Sequence, residues 1–356
     1  MQLTKIDNVN YWLKNFFIYI ESNAISDAHI EPLASCYRIR LRQTTHLINY
    51  AQLDNDSALR LISCLKILSQ LDISQSRIPQ DGSFTFMQPK LDIRCSTYPV
   101  YYGEKIALRF QMTSATLTLD HLGLIPQQLA ELKDLLLNSA GAIVVVGPTG
   151  SGKTRTLYSL VNELSPLKNN IVSIEDPIEI IIEGVNQAQI YPQIGLGFAE
   201  LLKANLRQDP DVILLGEMRD NDSATIAFQA AQTGHLLLTS LHSHSVFSAL
   251  DRLQALNVHP QTLCETLKVI IIQRLLKLCC KQCVSHKPCL TCTSQHQQKR
   301  IGIFELWQFN YDILSDYFTA NRQALFKART ISLNQAAAYY LELGYTTAEA
   351  ITECLN

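Results

Sequence analysis

The strongest constraint in this chain is the run Gly147-Pro148-Thr149-Gly150-Ser151-Gly152-Lys153-Thr154, which follows directly on the apolar stretch Ala142–Val146 and leads into a helical pattern ending near Leu164. It fits G-x-x-x-x-G-K-[ST] in the strand, loop and helix context that the pattern requires. The chemistry explains the spacing. Glycines let backbone N–H groups turn inward around phosphates, and the helix N-terminus adds a favourable dipole. Lys153 is then set to reach the β and γ oxygens, and Thr154 offers a hydroxyl to Mg²⁺. The run implies ATP or GTP binding and an α/β fold with a parallel sheet.

Three later apolar runs each end in a chemically loaded residue. Ile171–Ile174 leads into Glu175-Asp176-Pro177, Val212–Leu215 into Gly216-Glu217, and Leu236–Leu238 through Thr239-Ser240-Leu241 to His242. In a doubly wound sheet ligands sit beyond the carboxyl ends of parallel strands, so these residues are expected to converge on the glycine-rich loop.

Composition narrows the classes. Hydrophobic residues make up 47% and charged residues 17% of 356, the profile of an ordered protein. A net charge of -2 gives no overall electrostatic reason to hold a polyanion, so nucleic-acid binding is a minority reading. No apolar run approaches the roughly 18 residues that span a bilayer. Tyr11, Trp12, Leu13, Phe16, Phe17 and Ile18 follow helical spacing without the features of an export signal, which predicts a helix that docks on something. The first third reads as a small mixed domain, with strands at Tyr37–Leu41, Leu91–Cys95 and Ile106–Phe110, a helix at Leu59–Leu71 and a turn at Pro79-Gln80-Asp81-Gly82. The polar stretch Thr113–Thr118 reads as a linker.

These segments resemble the type II secretion and type IV pilus assembly ATPases from about Asp27 to the C-terminus. Ile174–Glu179 looks like their aspartate box, Arg207-Gln208-Asp209-Pro210-Asp211 through Gly216-Glu217-Met218-Arg219-Asp220 like their Walker B segment, and Thr233-Gly234-His235 to His242 like their histidine box. Ser26-Asp27-Ala28-His29-Ile30-Glu31-Pro32 and Arg77-Ile78-Pro79-Gln80-Asp81-Gly82 resemble the domain that precedes the motor in that family. The resemblance implies a RecA-like P-loop motor domain, a smaller N-terminal α/β domain of PAS-like type, and a helical, zinc-stapled C-terminal tail. The implied divisions are a docking helix at 1–25, an N-terminal domain at 26–112, a linker at 113–120, the RecA-like core at 121–278, a tetracysteine segment at 279–293 and the tail at 294–356.

By the same resemblance Glu217 positions or activates the attacking water, and Glu175 or Asp176 handles Mg²⁺ and the γ-phosphate. His235 and His242 sense or stabilise the nucleotide state, and Arg207 belongs to the catalytic set through its Walker B segment. Arg38, Arg40, Arg94 and Arg109 fall where the family's N-terminal domain supplies arginines to phosphates. Taken by themselves, alternating strand arginines are a solvated face, and a histidine beside an apolar strand is more often a packing residue. The implied assembly is a cytoplasmic homo-hexamer, peripheral to the inner membrane, with sites between subunits and an inner-membrane platform protein as partner. Its ATP hydrolysis would drive assembly of a pilus, a secretion pseudopilus or a competence pseudopilus, without direct nucleic-acid binding. Gly344–Glu349 resembles the family's tail, and no signature of a retraction motor is present.

Some positions depart from the family pattern: Arg42-Gln43 where Asp-Gly is usual, Lys203 where arginine is common, and Ser243-His244-Ser245 where Thr-Asn-Asp is usual. About 25 residues precede Ser26, so the resemblance is to a short form without the large N-terminal extension. A non-hydrolysing scaffold paralogue, or a related nucleic-acid or conjugation motor, are the alternatives.

Cysteine usage adds one further expectation. Cys36, Cys64, Cys95, Cys264 and Cys354 are scattered, which suits reduced thiols. Cys280-x-x-Cys283 and Cys289-x-x-Cys292 instead form two knuckles with the spacing that structural Zn²⁺ prefers, with Cys279 an alternative to Cys280. Elemental analysis of protein purified without chelators is expected to return about one zinc per chain. A content near zero would leave four free thiols.

Overall fold

Alternation along Tyr37-Arg38-Ile39-Arg40-Leu41 turns Tyr37, Ile39 and Leu41 into a core and leaves Arg38 and Arg40 on the opposite face, as a period of two requires. This segment is one strand of the first of two compact units, Met1–Ala115 and Thr116–Asn356, in a computed structural model that describes residues 3–23, 25–43, 46–88, 90–112, 117–137, 140–165, 167–279, 300–319 and 321–355. The first unit contains α1 (Val9–Ser22), β1 (Ile25–Pro32), β2 (Tyr37–Gln43), β3 (His46–Leu53), α2 (Asn55–Leu68), β4 (Gln80–Met87), β5 (Lys90–Val100) and β6 (Gly103–Met112). Its sheet is antiparallel in the order β3-β2-β1-β6-β5-β4.

Both helices start on side-chain caps, with Asn8 accepting from the Tyr11 amide and Asp54 from the Ser57 amide. They pack on one face of the sheet. Leu13, Phe16, Phe17 and Ile20 of α1 join Ala58, Leu61, Ile62 and Leu65 of α2 over Ile30, Ile39, Ile93 and Leu108. The N-terminal helix therefore docks on its own sheet. Gln80, Asp81 and Gly82, expected in a turn, open β4 instead, paired with Thr97, Ser96 and Cys95. The backbone runs close to α2 there, since a Cβ on Gly82 would lie 2.3 Å from the Ser69 carbonyl oxygen.

A buried ion pair sits at the end of α2. Lys66, 1% exposed, donates to Glu104 Oε1 at 2.9 Å and Oε2 at 3.2 Å, and to the Gln75 carbonyl. An uncompensated charge at such depth is expensive, so Glu104→Ala is expected to destabilise this unit by about 3–5 kcal/mol in denaturant unfolding. Replacing both partners, Lys66→Met with Glu104→Leu, should recover most of that loss. Equal stability of wild type and Glu104→Ala would show that water reaches the ammonium.

The second unit begins with α3 (Pro126–Leu136) and continues through β7 (Gly141–Val146), α4 (Lys153–Glu163), β8 (Ile171–Glu175), β9 (Asn186–Gln189), α5 (Phe198–Asn205), β10 (Val212–Leu215), α6 (Asn221–Gln232), β11 (Leu236–Leu241), α7 (Val246–Ala255), α8 (Pro260–Thr266), β12 (Leu267–Lys277) and β13 (Arg300–Gln308). Its sheet runs in the order β13-β12-β7-β11-β10-β8-β9 and is parallel except for β13. Both faces are covered. Val144, Val146 and Leu237 enter one core and Ile143, Val145 and Leu236 the other, which is why these strands read as unbroken apolar runs. The register aligns Val146 with Leu241 and Ile272, and Leu215 with Ile174 and Thr239, so the strand exits lie along one edge.

The tail differs from the helical segment expected for 294–356. Its first described part, β13, pairs with β12 from Val269↔Gln308 to Lys277↔Arg300 and closes the sheet edge. Helices Tyr311–Phe318, Leu333–Glu342 and Ala348–Leu355 follow. Cys280, Cys283, Cys289 and Cys292, and residues 113–116 of the linker, lie outside the described residues. Among the described residues no helix is long and apolar enough to cross a membrane.

Candidate functional site

The loop between β7 and α4 is shaped for close backbone approach. Gly150 and Gly152 have φ of +78° and +89°, and a Cβ on Gly147 would lie 2.5 Å from Ser151 Oγ and 2.7 Å from the Gln273 carbonyl oxygen. Ser151 Oγ is buried and has no hydrogen-bond partner among the described residues. Lys153 Nζ folds back and donates to the carbonyls of Gly147 at 2.9 Å and Pro148 at 3.1 Å, with His242 Nδ1 at 3.4 Å. Burial lowers the Lys153 pKa from its ordinary value. An inward cation, an orphaned hydroxyl and a glycine-lined turn at a helix N-terminus together fit a polyphosphate.

The neighbouring strand exits bring charge to the same place. Glu217 follows β10, and its Oε2 lies 3.6 Å from Nε2 of His242, which follows β11. Arg219 spans two exits: it donates to Asp176 Oδ2 at 2.7 Å and pairs with Glu217. Its pKa is raised, first by the hydrogen bond to Glu217. Asp176 follows β8, and its peptide bond to Pro177 is cis. Lys153, Asp176, Glu217, Arg219 and His242 thus form one cluster from four strand exits, beside Thr154 on the first turn of α4.

Three expected residues lie elsewhere. Glu175 is 3% exposed and is held by Tyr158, Ser173 and Gln187; of the two acids weighed for the metal and phosphate, Asp176 is the one that meets Arg219 in the cluster. His235 precedes β11, where its Nδ1 meets the Ala230 carbonyl and Thr233. The whole of β11, about 20 Å of extended chain, separates it from His242. Arg207 precedes β10 at that same far edge, exposed, donating to the Lys203 carbonyl. The Asp209–Asp211 segment there serves the backbone: Asn170 Nδ2 donates to the Gln208 and Asp209 carbonyls, and Asp211 accepts from the Asn170 amide. A cleft of about 650 Å³, lined among others by Lys133, Glu163, Asp211 and His235, lies at this end, away from Lys153.

In the first unit the arginines line the outer sheet face and have partners of their own. Arg38 and Arg40 bond Glu31, and Arg109 bonds Asp27. Arg94 lies opposite Arg109 in the ladder. Burial alone would raise the Glu31 carboxyl, but hydrogen bonds from Arg40, Lys105 and Arg38 outweigh it and bring it down to about 2. Sequence reasoning missed three residues of the second unit's site: Arg219, Tyr158 and Gln273, the last of which accepts from Thr156 of α4 at 2.7 Å. Arg219 could have been found from its offset of two from Glu217 at a strand exit. Tyr158 and Gln273 carry no such signal, because partners from distant segments define them.

The family described as type II/IV secretion system protein matches residues 3–353. The chain belongs to that family. It is 42% identical over 304 residues to a protein transport protein HofB homolog of Haemophilus influenzae, covering 84% of this chain and 65% of the relative. It is 43% identical over 262 residues to the type IV pilus assembly ATPase PilB of Acinetobacter baylyi, covering 72% and 45%, and 40% identical over 286 residues to type II secretion system protein E of Klebsiella pneumoniae, covering 80% and 57%. The chain thus spans about half to two thirds of the length of these curated relatives. Solved structures share the fold: the pilus retraction motor PilT with bound ADP, at TM-score 0.74, 24% identity and 96% of both chains, and the ATPase DotB of Legionella pneumophila, at TM-score 0.73, 20% identity and 99% of both chains.

The separation of the two sheet edges gives a direct expectation. In titrations with a fluorescent ATP analogue, His235→Ala and Arg207→Ala should bind within about twofold of wild type, whereas Lys153→Ala should lose binding. Equal losses in all three would put the nucleotide at the far edge.

Proposed function

We propose that this chain is an ATP-hydrolysing motor that drives assembly of a type IV pilus, a type II secretion pseudopilus or a competence pseudopilus. The observation that carries the reading is the convergence of Lys153, Glu217 and His242 from separate strand exits. Residues 147–152 hold the phosphates by backbone N–H groups, with Lys153 over the β and γ oxygens. Thr154 and Asp176 offer the hydroxyl and carboxylate oxygens that suit Mg²⁺, which when bound neutralises phosphate charge. Glu217 orients a water and accepts its proton as the oxygen attacks the γ-phosphorus and the bond to the β–γ bridging oxygen breaks, releasing ADP. His242, between Lys153 and Glu217, responds to whether the γ-phosphate is present.

In this reading the chain works as a homo-hexamer, peripheral to the inner membrane on the cytoplasmic side, docked on a platform protein. The first unit is a PAS-like domain whose Arg38, Arg40, Arg94 and Arg109 answer to phosphates, and the four cysteines staple the tail with zinc. The relatives named as transport, secretion and pilus assembly proteins support the filament system, and a net charge of -2 speaks against a nucleic-acid motor. A scaffold role without hydrolysis is the second reading, favoured by Ser243-His244-Ser245 beside His242.

Phosphate release decides between them. Wild type is expected to hydrolyse ATP with a specific activity that rises with protein concentration as rings form. Glu217→Gln should bind ATP and turn over at least about 100-fold more slowly, since the amide keeps the shape but accepts no proton. No phosphate release at any concentration would leave the scaffold reading, and activity independent of assembly would remove the ring.

A further inference from the structure

We propose that Tyr158 is a positioning residue of the nucleotide site, acting through Glu175 to fix the loop 176–185 that carries Asp176. The inference rests on the hydrolytic reading above and names a residue that no part of that reading uses. Tyr158 lies on α4 five residues after Lys153, so it belongs to the helix whose first turn meets the phosphates. It is 1% exposed, yet its hydroxyl faces a carboxylate: it donates to Glu175 Oε2 and accepts from the Glu179 amide at 3.3 Å.

Glu175 Oε1 accepts from Ser173 at 2.7 Å and from Gln187 Nε2 at 3.0 Å. Gln187 continues the network into the same loop, donating to the Ile180 carbonyl at 3.0 Å and accepting from the Ile182 amide at 2.7 Å. The loop is therefore held through its backbone at Glu179, Ile180 and Ile182 by the network of Tyr158, Glu175 and Gln187, while Gln189 separately accepts from the Ile178 amide at 3.4 Å. Asp176 opens this loop and meets Arg219, which meets Glu217.

Stability alone does not account for such an arrangement. A buried carboxylate with three donors is matched or bettered by apolar side chains of the same volume, whereas a fully satisfied polar network fixes one geometry. Burial, then the Glu175 charge and hydrogen bond, push the Tyr158 phenol far above its ordinary pKa, so it stays a donor at any working pH. A shift of α4 when phosphates enter the glycine-rich loop would thus pass by hydrogen bonds to Glu175, the chain neighbour of Asp176, and to the backbone of the loop that Asp176 opens.

The test uses the full chain with Tyr158→Phe, which keeps the ring and removes the hydroxyl, and Gln187→Met, which releases the loop from its other side. Both are expected to lower kcat at least about tenfold while nucleotide affinity stays within about twofold and thermal unfolding stays above the assay temperature. Tyr158→Phe combined with Glu175→Gln should be no slower than the slower single variant, because both act through one network. Amide exchange supplies a readout free of turnover: ADP should slow exchange across residues 176–185 in wild type and fail to do so in Tyr158→Phe. Wild-type kcat in Tyr158→Phe, or loop protection by ADP equal in both proteins, overturns the inference. A wild type that releases no phosphate but shows the difference in exchange overturns the hydrolytic reading and leaves the positioning role standing.

Discussion

The structure of the second unit depends on the parallel hydrogen-bonded register of its sheet. Pairing Leu215 with both Ile174 and Thr239, and Val146 with both Leu241 and Ile272, brings residues that are far apart in sequence to one edge. Parallel pairing is stable only when both faces are covered, and the two cores on either side of β7, β8, β10 and β11 meet that requirement. A one-residue slip would exchange the two faces and would also move Glu217 or His242 out of reach of Lys153. Fold and site therefore share one determinant.

Charge balance within the cluster follows from that convergence. Two carboxylates, Asp176 and Glu217, sit beside two cations, Lys153 and Arg219, with His242 between Lys153 and Glu217. Arg219 joins the exits of β8 and β10 just beyond the Gly216 amide's bond to the Ile174 carbonyl, so it reinforces by charge what the ladder arranges by geometry. In the first unit the same chemistry has another setting: on β1, Glu31 holds Arg38 and Arg40 of β2 and Lys105 of β6, and Asp27 holds Arg42 of β2 and Arg109 of β6.

Much of this was legible in the sequence. The glycine-rich loop, the apolar runs before Glu175, Glu217 and His242, and the alternation at Tyr37–Leu41 carry their structural meaning locally, because each depends on backbone conformation or periodicity alone. Glu175 and His235 show what a motif leaves open: it gives a position along the chain, whereas function depends on the direction a side chain takes from its strand. Glu175 turns into the protein toward Tyr158, and His235 precedes β11, at the end opposite His242. The strand at Arg300–Gln308 was read as helical tail because its partner, β12, precedes a long intervening segment that breaks any local pattern.

The resting state of Lys153 has a thermodynamic corollary. Its ammonium already holds two carbonyl oxygens of its own loop, so an arriving ligand exchanges partners and does not find a vacant cation. Apparent affinity then measures a difference between two occupied arrangements, and whatever strengthens the self-bonded one weakens association by the same factor. Tightening the glycine-rich turn by substitution would accordingly make the protein more stable and a poorer binder at once.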